Sequence, residues 1–136
     1  MKMAEVTRNR LGNVTNPYQG DFKKVLCVCS AGLLRSPTAA WVLSRDPWNF
    51  NTRAVGYSEE YALVVLDAVQ LAWADEVVVF DKSHHKAVKR LLEEHGWEKP
   101  VHNLNVPDEF SYREQPLVDM LTERFKELYP PNKLSQ

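Results

Sequence analysis

The stretch that decides the fold is VLCVCSAGLLRSP, residues 25–37. Its first five residues form a continuous apolar run, which predicts a strand buried on both faces of a parallel sheet. Three small residues then give a turn signal. Ser36 followed by Pro37 predicts the start of a helix, with Ser36 as the N-cap. The stretch therefore predicts a strand, a short loop and a helix.

The same alternation of apolar strands and amphipathic helices repeats along the chain. Strands are predicted at 25–29, 50–55, 76–80 and 101–106, and helices at 36–46, 59–73, 83–94 and 116–129. Strands that alternate with helices predict an α/β domain, in which a parallel sheet lies between helices on both faces. Ligands bind such sheets at the carboxyl ends of the strands.

Length and charge limit the classes of protein to consider. The chain has 136 residues, which suits one domain, and its net charge is -1. We expect residues 1–22 to be a polar N-terminal extension that is loosely ordered or wraps the surface, and residues 23–136 to be the domain. The balanced charge argues against a nucleic-acid partner, because phosphate-backbone binding needs a basic excess.

Location and redox state are also predicted from the sequence. No apolar run approaches the ~18–20 residues of a membrane-spanning helix, so we expect no membrane partner. The N-terminus has no apolar signal core. The two cysteines, Cys27 and Cys29, are too close for a disulfide framework. These features predict a cytoplasmic protein with free thiols.

The loop after Cys29 is a candidate anion site. A strand–loop–helix turn directs backbone N–H groups and the positive end of a helix towards one point. Arg35 offers a planar guanidinium that matches two phosphate oxygens. The same positive groups favour the thiolate form of Cys29, which makes it a candidate nucleophile. The predicted phosphate-binding residues are Ser30, Ala31, Gly32, Leu33, Leu34, Arg35 and Ser36.

A general acid is also needed. A thiolate that displaces an oxygen from phosphorus leaves an alkoxide or phenolate to be protonated, and the loop offers no acid. Asp108, after the fourth predicted strand, is the preferred candidate, with Glu109 and Asp81 as alternatives. Asp81 also remains open as a structural group. Since His84 and His85 form no metal-ligand pattern, we expect neither a metal nor a cofactor.

These residues resemble the low-molecular-weight protein tyrosine phosphatases. The loop of that family reads Val-Cys-x-Gly-Asn-x-Cys-Arg-Ser-Pro, which Val28-Cys29 and Arg35-Ser36-Pro37 match. The likeness covers about residues 24–129, and it includes the pair Asp81 and His84 as well as Val106-Pro107-Asp108-Glu109-Phe110. It implies a flavodoxin-like three-layer domain with a four-stranded parallel sheet. It also implies metal-free hydrolysis through a phosphocysteine, with Cys29 as nucleophile, Arg35 as phosphate ligand and Asp108 as general acid.

The chain departs from the family pattern at several positions. Gly32 replaces the loop Asn, Leu34 replaces the second loop Cys, and Glu109 stands where Pro follows the acid. Glycine also tolerates the left-handed backbone that this Asn adopts, so the loop shape is expected to survive. Without a cysteine at Leu34 the loop lacks its protective disulfide partner, and a redox role for Cys27 stays open.

The substrate expected from the resemblance is phosphotyrosine, in a protein or as a small aryl phosphate. Family members selective for phosphoarginine carry Thr where this chain has Leu33. Leu33, Tyr57 and Phe110 are the predicted walls of the substrate pocket. We expect a monomer or weak dimer.

Three other functions fit parts of the pattern. A phosphocysteine carrier of the sugar-transport type shares the cysteine loop and does not need Asp108. An arsenate reductase on the same fold passes a disulfide among further cysteines, and here only Cys27 is available besides Cys29. A binding module that holds phosphate without turnover is the third alternative.

Overall fold

The structure is a computed structural model of the 136-residue chain. It describes residues 22–29, 35–57, 65–107 and 114–131, together with the backbone of residues 13–14. The elements follow in the order β1 (Asn13–Val14), β2 (Lys24–Cys29), α1 (Arg35–Leu43), β3 (Asn51–Gly56), α2 (Ala68–Trp73), β4 (Glu76–Val79), α3 (Lys82–Glu94), β5 (Val101–Asn103) and α4 (Gln115–Leu128).

The sheet has the strand order β1-β3-β2-β4-β5. Strands β2 to β5 are parallel to one another, which confirms the predicted four-stranded parallel sheet. The sequence did not predict β1, which pairs antiparallel with β3. Two residues of the predicted N-terminal extension therefore belong to the sheet edge, and residues 1–12 and 15–21 lie outside the described residues.

Helices cover both faces of the sheet. Alternate residues of β2 point to opposite faces, so Cys27 and Cys29 belong to one core cluster while Leu26 and Val28 belong to the other. The first cluster includes buried residues of α1 and α4, and the second includes buried residues of α2 and α3. The predicted three-layer architecture is confirmed. Among the described residues, no helix is both long and apolar enough to cross a bilayer.

Several predicted elements are shorter than the sequence pattern indicated: α1 ends at Leu43, three residues before its predicted end, and β4 ends at Val79, one residue before. The helix predicted at 59–73 begins at Ala68 in the described part of the chain, because Val65 pairs with Gly56 and the Asp67 side chain caps the helix. Residues 58–64 lie outside the described residues. The strand predicted at 101–106 ends at Asn103, since Asn105 has a positive φ of 53° that interrupts the extended backbone.

The predicted starts of two helices were wrong. Ser36 is not an N-cap but lies inside α1, which begins at Arg35. Ser83 is likewise inside α3, because Asp81 is the N-cap and accepts hydrogen bonds from the backbone N–H groups of Ser83 and His84. Neither serine hydroxyl therefore caps its helix. The Ser36 hydroxyl contacts the Cys29 sulfur, and the Ser83 hydroxyl donates to Asp81.

A polar cluster lies at the amino ends of the strands, away from the candidate site. Glu76, the first residue of β4, accepts hydrogen bonds from Lys23 and, at 2.8 Å, from the Tyr129 hydroxyl. His102 Nε2 lies 2.7 Å from Glu76 Oε1. Burial acts to raise the pKa of Glu76, but the hydrogen bonds from Lys23, His102 and Tyr129 lower it below its usual value. The cluster joins β4, β5 and the end of α4 around one carboxylate.

Candidate active site

The carboxyl ends of the parallel strands bring the predicted residues together at one edge of the sheet. Cys29 ends β2, Tyr57 directly follows β3, and Asp81 lies just after β4. The Tyr57 N–H donates to the Cys29 carbonyl at 3.1 Å, so these two strand ends are in direct contact. Residues 108–113, which follow β5, lie outside the described residues.

The Cys29 sulfur faces a serine of the following helix. Cys29 is 3% exposed, and its Sγ lies 3.1 Å from the Ser36 Oγ. Ser36 is fully buried in the first turn of α1, and its hydroxyl is also 3.4 Å from the Val55 carbonyl of β3. When the sulfur is a thiolate, the hydroxyl must be the donor of the Cys29–Ser36 bond. The arrangement can therefore stabilise negative charge on sulfur.

Arg35 is a buried cation at the same edge. Its Nη1 donates to the Val106 carbonyl at 3.0 Å and lies 3.5 Å from Asp81 Oδ2. The residue is 4% exposed, so its charge needs compensation within the protein. Together these contacts tie the first residue of α1 to the chain that follows β4 and β5, and they hold the guanidinium between those two strand ends.

Asp81 serves as a cap and as a counterion. Its Oδ1 accepts hydrogen bonds from the Ser83 N–H at 2.9 Å, the Ser83 hydroxyl at 2.6 Å and the His84 N–H at 3.1 Å. Burial acts to raise the pKa of Asp81, but the hydrogen bonds from Ser83 and His84 lower it below its usual value. A carboxylate held ionised is a poor proton donor at neutral pH, which favours the structural interpretation of Asp81 over the general-acid one.

His84 is a fully buried histidine that contacts the Asp81 carboxylate. Its Nδ1 accepts the Phe80 N–H at 3.2 Å, and its Nε2 lies 3.3 Å from Asp81 Oδ2. The Tyr57 ring is tilted against the imidazole with centroids 5.6 Å apart, and the Tyr57 hydroxyl is 3.4 Å from the Ser83 hydroxyl. Tyr57 thus lies beside the network around Asp81, while its backbone N–H is bound to the Cys29 carbonyl.

Cys27 differs from Cys29 in its surroundings. It is fully buried, and both cysteines are free. Burial raises the pKa of the Cys27 thiol well above its usual value, and the neighbouring Cys29 charge raises it further. Since thiol–disulfide exchange proceeds through the thiolate, this environment argues against Cys27 as a redox partner.

Several predicted site residues lie outside the described residues. These are Ser30, Ala31, Gly32, Leu33 and Leu34 of the loop, and Asp108, Glu109 and Phe110 after β5. The described residues that the structure brings together are Cys29, Arg35, Ser36 and Tyr57. In the described ranges, no group of three or more His, Cys, Asp or Glu side chains is placed to hold a metal ion.

Two features of this site had no function predicted from the sequence. The contact of His84 with Asp81 could have been predicted from spacing, because a histidine three residues after an N-cap aspartate on a helix can reach its carboxylate. The contact between Arg35 and the Val106 carbonyl could not, since the two residues are 71 positions apart in the chain.

Comparison with known proteins connects this geometry to a set of solved structures. No protein-family profile matches the sequence, and no curated protein sequence matches it. Wzb of Vibrio vulnificus, solved in complex with benzylphosphonate, is 19% identical with a TM-score of 0.62, over 83% of this chain and 99% of that one.

Two other solved structures are similar over the same span. SP-PTP, a low-molecular-weight protein tyrosine phosphatase from Streptococcus pyogenes, is 16% identical with a TM-score of 0.63, over 85% of this chain and 99% of that one. The YwlE arginine phosphatase from Geobacillus stearothermophilus is 17% identical with a TM-score of 0.58, over 84% of this chain and 97% of that one. The chain therefore has the fold of the low-molecular-weight protein tyrosine phosphatases.

Proposed function

We propose that this protein is a metal-independent phosphatase that hydrolyses phosphotyrosine through a phosphocysteine intermediate. The observation that carries the proposal is the buried Cys29 sulfur, 3.1 Å from the Ser36 hydroxyl and at the same sheet edge as the buried Arg35 guanidinium. The fold shared with solved phosphatases supports it.

In the first step, the Cys29 thiolate attacks phosphorus. A sulfur–phosphorus bond forms as the bond from phosphorus to the tyrosyl oxygen breaks, and Asp108 gives its proton to the departing oxygen. Arg35 and the loop amides of residues 30–35 bind the equatorial oxygens, whose charge they stabilise in the transition state.

In the second step, water releases phosphate. Asp108, now a carboxylate, takes a proton from the water as its oxygen attacks phosphorus, and the sulfur–phosphorus bond breaks. The electron pair returns to sulfur, so that Cys29 leaves as a thiolate. The Ser36 hydroxyl donates to that developing negative charge across the 3.1 Å contact.

Tyrosine is the proposed substrate side chain because of Leu33. The structurally similar proteins include both tyrosine and arginine phosphatases, so the fold does not discriminate between these substrates. An apolar Leu33, with Tyr57 and Phe110, favours an aryl ring over a guanidinium. The predicted cytoplasmic location, the monomer or weak dimer, and the lack of nucleic-acid and membrane partners stay predictions from the sequence.

The alternatives are less well supported. Burial raises the pKa of the Cys27 thiol, which argues against the disulfide exchange that an arsenate reductase needs. A phosphocysteine carrier or a phosphate-binding module would show a phosphorylated or phosphate-bound protein without turnover, which the experiment below distinguishes.

The test compares hydrolysis of phosphotyrosine, phosphoserine and phosphoarginine by the purified protein, with and without vanadate. We expect release of phosphate from phosphotyrosine, inhibited by vanadate and unaffected by a metal chelator. Cys29→Ser is expected to abolish turnover of p-nitrophenyl phosphate while phosphate binding persists. Cys27→Ser makes the same change two residues earlier and is expected to retain turnover.

Three results would reject the proposal: full activity in Cys29→Ser, a preference for phosphoarginine, or stable phosphorylation of Cys29 by a donor protein without phosphate release. Circular dichroism of each variant shows whether the fold is retained.

A further inference from the structure

We propose that His84 is a positioning residue, which holds the Asp81 carboxylate in the orientation that fixes the Arg35 guanidinium for oxyanion binding. The inference rests on the proposed function for its kinetic consequences. The juxtaposition that carries it is the chain of contacts from the Phe80 amide through the imidazole to Asp81 and on to Arg35.

The imidazole has a defined tautomer. Its Nδ1 accepts the Phe80 N–H at 3.2 Å, so the proton of the neutral ring is on Nε2. That nitrogen lies 3.3 Å from Asp81 Oδ2 and is placed to donate to it. Since His84 is fully buried and its ring contacts Phe80 and Tyr57, the ring cannot turn without losing packing on both sides.

The two oxygens of Asp81 have different partners. Oδ1 accepts three hydrogen bonds from Ser83 and His84 at the start of α3. Oδ2 lies between His84 Nε2 and Arg35 Nη1, at 3.3 and 3.5 Å. The Asp81 side chain is 44% exposed, so water competes for Oδ2 wherever the protein does not hold it. A donor from the buried side keeps this oxygen turned towards Arg35.

The orientation of Arg35 depends on where Oδ2 lies. Nη1 makes the 3.0 Å hydrogen bond to the Val106 carbonyl and the 3.5 Å contact with Oδ2, so both contacts constrain the direction of the guanidinium. A planar bidentate ligand must match two phosphate oxygens, and a small rotation of its plane weakens both bonds. His84 therefore acts on the reaction through Asp81 and Arg35, without touching the substrate.

Two amide substitutions separate the hydrogen bond between Phe80 and the imidazole from the contact between the imidazole and Asp81. In His84→Asn, the amide oxygen takes the place of Nδ1 as acceptor for Phe80, and the donor to Asp81 is lost. In His84→Gln, the amide NH₂ takes the place of Nε2 as donor to Asp81, and the buried Phe80 N–H loses its acceptor. An unsatisfied buried N–H destabilises the fold. His84→Gln is thus expected to lose more stability, and His84→Asn is expected to lose more of the positioning of Asp81.

The experiment measures kcat and KM for p-nitrophenyl phosphate, the affinity for vanadate by calorimetry, and the unfolding temperature. We expect His84→Asn to keep the higher unfolding temperature of the two, but to lose about 10-fold in kcat and in vanadate affinity, the usual worth of one lost hydrogen bond. His84→Gln is expected to unfold at a lower temperature and yet keep the larger kcat. His85→Asn, the same change one residue along α3, is expected to leave both kinetic constants unchanged.

A double-mutant cycle tests whether the effect passes through Asp81. Asp81→Asn alone is expected to lower kcat, and adding His84→Asn is expected to lower it no further. The inference would be overturned if kcat fell in the same order as the unfolding temperature across the His84 variants. It would also be overturned if the losses in kcat from Asp81→Asn and His84→Asn multiplied in the double variant. If the unmodified protein shows no turnover, the proposed function fails, and the vanadate affinities still decide whether His84 positions Arg35.

Discussion

Replacing Ser36 by alanine removes a single donor from the Cys29 sulfur. The Ser36 hydroxyl lies 3.1 Å from Sγ, and both residues are buried, so water does not replace the lost bond easily. A hydrogen bond to a charged group is worth about 1.5–3 kcal/mol, which corresponds to about 10- to 150-fold in rate. The loss falls on the step in which sulfur leaves as a thiolate, because the negative charge on sulfur is regained there.

Rapid-mixing kinetics with p-nitrophenyl phosphate isolate that step. We expect Ser36→Ala to release one equivalent of p-nitrophenol per protein in a fast burst, followed by turnover about 10- to 150-fold slower than in the unmodified protein. Ser44→Ala is the matched control, since Ser44 follows α1 directly, is also buried, and donates to the Trp41 carbonyl at 2.8 Å instead of to sulfur. Unchanged turnover in Ser36→Ala, or an equal loss in Ser44→Ala, would refute the assignment.

Two further substitutions test the general acid and the polar cluster. Asp108→Asn is expected to slow phosphotyrosine hydrolysis by roughly 10²–10⁴-fold, as measured by steady-state kinetics. Hydrolysis of an ester with a more acidic leaving group is expected to slow less. A loss of that size in Glu109→Gln instead would reassign the general acid. Because the folded-state pKa of Glu76 lies below its ordinary value of 4.5, this carboxylate stabilises the fold above that pH, and the contribution is lost as pH falls through the lowered pKa. Glu76→Gln is therefore expected to lower the unfolding temperature at pH 7 and to flatten its decline below pH 5; an unchanged acid limb in thermal melts would contradict this.

Much of the fold follows from local pattern. The apolar run that ends at Cys29 and the later run at Val77–Val79 form buried strands, because neither leaves a polar face for solvent. The predicted end of α3 at residue 94 is confirmed, and Gly96 just beyond it has a positive φ of 67° that glycine adopts without strain. The strand–loop–helix order alone placed Cys29 and Arg35 on either side of one turn.

The starts of the helices were harder to predict, because they depend on which side chain accepts the first backbone N–H groups. The sequence pattern placed the start of α3 at Ser83, whereas the Asp81 carboxylate accepts the N–H groups of Ser83 and His84 and also the Ser83 hydroxyl. Val65 has the apolar character of a helix face, yet it pairs with Gly56 because the neighbouring strand end lies beside it. The local conformational propensities of these residues do not decide where the helices begin. Contacts with residues distant in the chain do.

The chain by itself determined the parallel sheet, the position of the Cys29 sulfur at the end of a strand and the identity of the cation that follows it, because these depend on spacing along one strand, loop and helix. Only the tertiary structure decided that Arg35 meets the Val106 carbonyl, that Asp81 faces Arg35, and that a buried His84 stands behind Asp81. Those contacts depend on the order and register of strands that are distant in sequence, and no local preference encodes that register.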